Sequence, residues 1–412
     1  MKTVPHVVII GAGFGGLSAY HSIRKQFGAH VRITIINRTN YFLFTPLLHE
    51  VATGGLGHHQ VVESIRQLIY KTPTELHLAE VKSIDLRRQQ VKTSVATVDY
   101  DYLVIATGAT SNYFDIPGAE EHTLGLKSLR DAIMIRNRII EQFEVAHLLE
   151  GDERKDALRF AIIGGGATGV ELAAELAEWI RDSFRRYYRN LNCDEVEITL
   201  INYSPELISQ FSDRARHQAL NRLKQLGVNV RLNTAVTSVT HDGVNLSVGG
   251  FLPTGLTLWM AGVMPAIPKL APDVVVDERS GRLVVDRSLR LPGFQQVFVI
   301  GDASYVRTDD EHVLPMMAQV AERQGKWLGR ALKAVITGRE APAFRYRSQG
   351  ELLSLGNWHA AGTIWKVPIS GPLGWWLWRT VYLFKFNSWS KRVKIAIDWT
   401  IDIFYPRDIT KA

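Results

Sequence analysis

Two stretches of this chain follow one plan, and that plan leaves little freedom of fold. "HVVIIGAGFGGLSAYHSIRKQF" stands near the start, and "RFAIIGGGATGVELAAELAEWI" recurs roughly 150 residues later. Each reads as an apolar β-branched strand, a G-x-G-x-x-G turn and a run of helical period. A second strand follows each copy, "VRITIIN" ending at Asn37 and "EVEITLIN" ending at Asn202. Both copies then pass through a β-rich stretch and close on a similar phrase, "YDYLVIATGA" or "TGLTLWMAGV". Strand, glycine turn, helix and strand make an α/β, Rossmann-like unit. In the turn, Gly11 and Gly164 permit the tight bend, and Gly13 and Gly166 let backbone approach a pyrophosphate. Gly16 and Gly169 let the helix pack close to its sheet. The helix N-terminus supplies unpaired N–H groups and a partial positive charge to the phosphates. One such motif is weak, but two, each between a strand and a helix, predict two dinucleotide sites.

A third element, "QQVFVIGDASYV", is a strand ending in Gly301-Asp302. An Asp just past a strand can accept hydrogen bonds from ribityl hydroxyls. Its place after the second unit suggests that the chain returns to complete the first domain, with the second inserted. The expected domains are therefore 1–115 with 285–345, binding FAD; 116–284, binding NAD(P)H; and a C-terminal segment, 346–412. The single cysteine, Cys193, excludes a disulfide framework and any Cys-x-x-Cys redox pair. No Cys/His cluster has metal-ligand spacing, and the adjacent His58 and His59 read as loop histidines. A net charge of +7 suits a polyanion, and no nucleic-acid motif accompanies it, which leaves anionic lipid.

With these residues in hand, the chain resembles the two-dinucleotide-binding flavoproteins, and within them the type II NADH:quinone oxidoreductases, the single-chain, non-pumping NADH dehydrogenases of respiratory membranes. The more specific matches are "FTPLLHEVATG" and "AQVAERQG". The resemblance implies non-covalent FAD, NADH as donor and a quinone as acceptor. It implies that Gly11, Gly13, Phe14, Gly15, Gly16, Asn37 and Arg38 hold the adenosine pyrophosphate end of FAD. It places Val81 on the adenine side, and Ala106, Thr107, Gly108, Pro46 and Leu47 around the flavin. Gly301 and Asp302 would meet the ribityl chain, and Gln319 and Val320 the flavin–quinone end. Gly164, Gly166, Thr168, Gly169, Asn202 and Gly262 would hold NAD(P)H. Glu171 would meet the nicotinamide end and orient its carboxamide, so Glu171 and Gln319 are the expected catalytic residues. Hydride would pass from nicotinamide to flavin, and two electrons onward to the quinone.

Three departures matter. Both second strands end in asparagine where the family usually carries Asp or Glu. An amide accepts and donates but lacks the charge. Asn202 therefore removes the carboxylate that would repel a 2′-phosphate, so NADPH is less excluded than usual, although NADH is still expected. The second glutamine of AQxAxQ falls on Arg323, which reads either as a surface partner of an acid or as a contact for the acceptor headgroup. Glu322 and His49 are candidate proton donors to the quinol, His49 also reading as a packed histidine.

The C-terminal "GPLGWWLWRTVYLFKFNSWSKRVKIAIDW" is then explained. Trp365, Trp375, Trp376, Trp378, Trp389 and Trp399 suit the headgroup level, and interleaved Lys and Arg suit anionic phosphates. Trp376, Tyr382, Leu383 and Phe386 would share one face of a helix lying in the interface, with Lys385 and Arg392 leaving it. A monotopic enzyme on the cytoplasmic face of the inner membrane is expected, with a homodimer seam as the other use of this segment. Two rivals share the glycine motifs: a soluble NAD(P)H:ferredoxin or rubredoxin reductase, and an FAD-bearing redox sensor.

Overall fold

The computed structural model describes residues 4–270, 274–308, 312–365, 367–386 and 388–411. In chain order the principal elements are β1 (His6–Ile10), α1 (Phe14–Phe27), β2 (Arg32–Asn37), α2 (Leu48–Ala52), β3 (Thr74–Leu78), β4 (Tyr102–Ile105), β5 (Arg159–Ile163), α3 (Ala167–Trp179), β6 (Glu197–Ile201), β7 (Asn229–Arg231), β8 (Leu256–Trp259), β9 (Phe294–Val299), α4 (Ala318–Ile336), β10 (Gly350–Ser354), β11 (Ala360–Ile364), β12 (Val367–Ser370), α5 (Gly371–Lys385) and α6 (Trp389–Phe404). They sort into two compact units. The first gathers the residues up to Leu43 with Glu63–Thr110 and Val263–Arg347; the second gathers Phe44–Val62, Ser111–Gly262 and the chain from Ser348. This division differs from the expected boundaries in several places, residues 111–115 among them, which cluster with the second unit. Residues 263–284 cluster with the first unit, and both 44–62 and the C-terminal segment cluster with the second.

The first unit carries a parallel sheet in the order β9–β4–β1–β2–β3, with a short antiparallel strand at the β9 edge. Every residue of β1 is buried, as a strand covered on both faces requires. The second unit repeats the order as β8–β5–β6–β7. The repeat extends to single hydrogen bonds. Gly11 N–H donates to Ile36 O at 2.8 Å, as Gly164 N–H does to Ile201 O at 2.8 Å. Ala106 N–H donates to Ile10 O at 2.8 Å, as Met260 N–H does to Ile163 O at 2.7 Å. In each unit the expected β-rich stretch is an antiparallel meander, Val81–Asp85 to Thr97–Asp99 in the first and Val236–Thr240 to Gly250–Pro253 in the second.

In the first unit, α4 lies directly on α1. A Cβ at Gly325 would overlap the Gly15 carbonyl oxygen, and one at Gly329 would overlap Ser22. Ser22 Oγ fastens the crossing, donating to Lys326 O at 2.7 Å and accepting from Gly329 N–H at 3.1 Å. In the second unit, α3 is buried from Gly169 to Trp179, covered on every side rather than on one stripe.

The C-terminal segment is not helical throughout. It opens with an antiparallel sheet, β10–β11–β12, before α5 and α6. The expected apolar face is also corrected. Phe386 lies just past the end of α5 and is fully buried, and Trp375, Trp378 and Trp399 are buried as well. The spacing that suggested one face assumed a single continuous helix, whereas the chain breaks between α5 and α6. The exposed apolar face is Leu373, Trp376 and Phe384 on α5, and Trp389, Val393, Ile397, Ile401 and Phe404 on α6. The α6 residues recur every three or four positions, so they form one stripe. Trp365 is exposed too. Among the described residues no helix is long and apolar enough to cross a membrane.

Candidate nucleotide-binding and redox site

The first glycine loop has the shape of a pyrophosphate cradle. Gly11 adopts φ +96°, and a Cβ there would overlap the Ala106 carbonyl at the end of β4. A Cβ on Gly16 would overlap Gly11 O, so the helix can start this close only without a side chain. At Gly13, by contrast, a Cβ would meet nothing within 4 Å. Gly13 is also the N-cap of α1, and no side chain caps the helix there. The loop thus combines tight backbone on its protein side, open space over Gly13 and uncapped N–H groups. Thr107 Oγ1 beside it is buried with no hydrogen-bond partner among the described residues, and Gly108 turns with φ +70°. These features fit FAD. Phe14 packs edge-on against Phe42 at 5.1 Å, Gly15 is buried, and Arg38 is exposed at the end of β2. Val81 is half-buried at the start of the meander, and Val320 is buried in α4. Asp302 lies in the turn Gly301–Ala303, directly after β9.

The second loop repeats the design. Gly164 has φ +112° and faces the Met260 backbone, Gly169 faces Gly164 O, and Gly166 is open and caps α3 without a side-chain bond. Thr168 is exposed in the first turn of α3. At Gly262 a Cβ would run into the Phe114 ring at 2.5 Å.

Both asparagines play a part the sequence did not disclose. Asn37 Oδ1 accepts from Ala12 N–H at 3.0 Å, and its Nδ2 donates to Thr39 O at 2.8 Å and Thr39 Oγ1 at 3.1 Å. Asn202 Oδ1 accepts from Gly165 N–H at 3.0 Å, and its Nδ2 donates to Ser204 O at 3.1 Å and Glu206 O at 2.9 Å. Ala12 and Gly165 hold the same place in the two motifs. Each amide therefore ties its glycine loop, through the oxygen, to the chain that follows the second strand, through the nitrogen. A carboxylate would keep the bond from the loop N–H but would face the carbonyls with no proton to give.

The second unit also encloses a cluster of ionisable groups. Glu171, Glu175 and Glu178 follow one another along α3, and all three are buried. Glu171 Oε1 accepts from Ser354 N–H at 3.1 Å, and its Oε2 lies 3.8 Å from His49 Nδ1. Burial raises the Glu171 carboxyl well above its ordinary range, and the neighbouring Glu175 and Glu50 add to the shift. Burial lowers His49 to about 4, and its Nε2 has no hydrogen-bond partner among the described residues. Glu171 is therefore not a helix-surface acid, and His49 is a neutral, packed histidine beside it. Arg407 Nη2 pairs with Glu175 Oε2 at 2.6 Å, and against burial that guanidinium draws Glu175 down. Glu50 accepts from Trp399 Nε1 at 2.6 Å and is raised by burial to about 7. Arg379 lies 3.7 Å over the Trp375 ring and donates to Trp399 O at 3.1 Å. None of α2, α5 or α6 had been expected to meet Glu171 through charge, because only tertiary packing brings them together. Pro46 is half-buried and Leu47 fully buried, both in this second unit rather than in the first.

At the start of α4, Gln319 Oε1 accepts from Tyr346 O–H at 2.5 Å. Glu322 pairs with Lys326 on the helix surface, and Arg323 has no ion-pair partner among the described residues. The expected Arg323 surface pair is thus absent there. The adjacent Gln324 is fully buried against the Gly301 turn and had no assigned part in the sequence reading. Cys193 lies outside both glycine loops, and burial raises its thiol. Among the described residues no group of His, Cys, Asp or Glu could hold a metal ion.

These units are those of a pyridine nucleotide-disulphide oxidoreductase, whose family model matches residues 5–325; the model of the NDH2 C-terminal domain matches residues 349–408. The type II NADH:quinone oxidoreductase Ndh of Mycobacterium tuberculosis is 30% identical, over 97% of this chain and 88% of that protein. The internal alternative NAD(P)H-ubiquinone oxidoreductase A1 of Arabidopsis thaliana mitochondria is 30% identical, over 99% and 86%. The fold matches that of NDH2 from Plasmodium falciparum in complex with NADH, with a TM-score of 0.92 and 22% identity, over 99% of this chain and 100% of that one. The chain belongs to the type II NADH:quinone oxidoreductase family.

Proposed function

We propose that this protein oxidises NADH with bound FAD and passes two electrons to a quinone; the names of its relatives give NADH or NAD(P)H and a quinone as their substrates. The observation that carries the reading is the duplicated cradle: two glycine loops, each open at its middle glycine and each at an uncapped helix N-terminus. FAD, when bound, supplies the two-electron chemistry, accepting a hydride and releasing electrons to the quinone. The net reaction, NADH + H⁺ + quinone giving NAD⁺ + quinol, takes up one proton. Glu171 holds a proton well above the usual carboxylate range, in a site shielded from water, and is the group we assign to supply it. His49, 3.8 Å away and neutral, supplies no positive charge that would favour ionisation of Glu171. The pair replaces Glu322 as donor, since Glu322 is tied to Lys326.

NADH is the assigned donor, with NADPH admitted at lower efficiency because Asn202 carries no charge to repel a 2′-phosphate. The exposed Trp389–Phe404 stripe of α6 is assigned to a membrane surface, approached peripherally and from the cytoplasmic side, and a homodimer is compatible with it. The same functional parts as first expected are retained: FAD in the first unit, NAD(P)H at the second loop, membrane attachment in α5 and α6. Steady-state oxidation of NADH by a short-chain ubiquinone tests the reading. Activity with quinone that exceeds activity with ferredoxin supports it, and the reverse order refutes it. Glu171→Gln, whose amide can still meet the nicotinamide carboxamide, should leave flavin reduction by NADH near normal while slowing reoxidation by quinone about hundred-fold or more.

A further inference from the structure

Gln324 is fully buried in α4 and points at the turn that carries Asp302. Its Oε1 accepts from Gly301 N–H at 2.5 Å, and its Nε2 donates to Ser304 Oγ at 3.3 Å. Ser304 Oγ in turn donates to Gly301 O at 2.8 Å, which closes a ring of bonds around the Gly301–Ala303 turn. The turn also lies close against α4: Gly301 sits at φ +69°, which glycine adopts freely, and a Cβ there would press on Ala321 of α4 at 3.3 Å. The helix that carries Gln324 is itself fixed, since Gly325 lets α4 rest against the Gly15 carbonyl of the first cradle. One buried amide therefore links the helix that packs on the cradle to the turn that aims Asp302.

We propose that Gln324 is a positioning residue for FAD, which holds the Gly301–Ser304 turn so that Asp302 meets the ribityl chain. This rests on the reading that Asp302 binds the ribityl hydroxyls. Without the amide, the half-buried Gly301 N–H loses its acceptor and the turn relaxes. The loss is then felt where the turn touches the cofactor, rather than throughout the unit.

The test uses Gln324→Met, which keeps the volume and removes the amide, with Ser304→Ala and Asp302→Ala alongside. The full-length protein is purified with FAD, and the readouts are the FAD dissociation constant, the visible circular dichroism of the bound flavin, and the melting temperature of the apoprotein. Gln324→Met should weaken FAD binding by at least about ten-fold and alter the flavin dichroism, whereas its apoprotein should melt close to wild type. Ser304→Ala should shift both flavin readouts in the same direction by a smaller factor, which keeps the proposal testable if Gln324→Met does not fold. Wild-type FAD affinity and dichroism in Gln324→Met, or in Ser304→Ala if that variant alone folds, would overturn it. If Asp302→Ala binds FAD as wild type while Gln324→Met does not, the ribityl reading fails and Gln324 still positions the turn. If Asp302→Ala is weak and Gln324→Met is not, the proposal itself fails.

Discussion

Replacing Asn202 with alanine isolates the brace of the second cradle at a residue expected from the sequence to hold NAD(P)H. The side chain makes three hydrogen bonds to backbone, accepting from Gly165 N–H at 3.0 Å and donating to Ser204 O at 3.1 Å and Glu206 O at 2.9 Å, and so ties the glycine loop to the chain after β6. A bond of this kind contributes a net of about 0.5–1 kcal/mol where water can partly replace it, as at this half-buried site, so the three together are worth about 1.5–3 kcal/mol. If that energy keeps the Gly164–Gly166 loop in its binding shape, the ordering is charged to NADH binding once the brace is gone. At 1.4 kcal/mol per decade the expected loss is about ten- to hundred-fold in NADH affinity. Anaerobic rapid-mixing of the FAD-loaded variant with a series of NADH concentrations separates affinity from rate. The dissociation constant should rise by that factor, and the limiting rate of flavin reduction should stay within about two-fold. An unchanged dissociation constant would refute the brace. Asn202→Asp should also bind NADH more weakly, since it cannot donate to Ser204 O and Glu206 O, while its charge lowers NADPH use further.

Other outcomes follow from the buried cluster and the tail. Glu50 moves from 4.5 to about 7 through burial first and then the neighbouring Glu175, a change that corresponds to about 3 kcal/mol. Because the folded carboxyl binds its proton more tightly, it contributes stability below pH 4.5 that is lost as pH rises to about 7. Glu50→Gln, whose amide oxygen can still accept from Trp399, should therefore gain melting temperature over wild type between pH 5 and pH 8; a difference independent of pH would count against the assignment. Arg407→Met leaves Glu175 buried without its cation and should cost about 3–5 kcal/mol in chemical denaturation. Adding Glu175→Gln should recover most of that loss, and no recovery would show that the pair is not what Arg407 serves. Trp389→Glu with Ile397→Glu should abolish flotation with anionic vesicles while leaving oxidation of NADH by a soluble acceptor within about two-fold; unchanged flotation would remove α6 from the membrane surface. These substitutions are cleaner than truncation after Gly371, which would strip the buried Trp378, Trp399 and Arg407 from the second unit.

The parts of this molecule that were legible in sequence are those that backbone geometry dictates. Gly11, Gly16, Gly164 and Gly169 cannot carry a side chain without overlapping a carbonyl or neighbouring backbone, so the residue type itself records the fold. The repetition of the strand–turn–helix–strand unit was legible in the same pattern, whereas the strand order within each sheet is seen only in the fold. Glu171 was legible by its place after the turn, but its burial was not. The run "ELAAELAEW" spaces three acids along one side of α3, which alone resembles a solvated face. Only the arrival of His49, Glu50, Arg379 and Arg407 from distant segments makes that face an interior. At Asn37 and Asn202 the position was legible, but the bonds to Ala12, Thr39, Gly165, Ser204 and Glu206 are ones that no motif reports. Gln324 escaped because it lies one residue beyond the AQxAxQ frame. In the tail, periodicity alone treated as one helix what is two, so it placed Phe386 outside when it is fully inside.

The claim on which the rest depends is that both cradles are filled and work together. Anaerobic titration of the purified, FAD-loaded protein with NADH, followed by addition of a short-chain ubiquinone, tests it most directly. The account predicts that one equivalent of NADH bleaches the flavin and that one equivalent of quinone restores its colour. A flavin that stays oxidised under NADH, or a reduced flavin that the quinone leaves bleached, would contradict it.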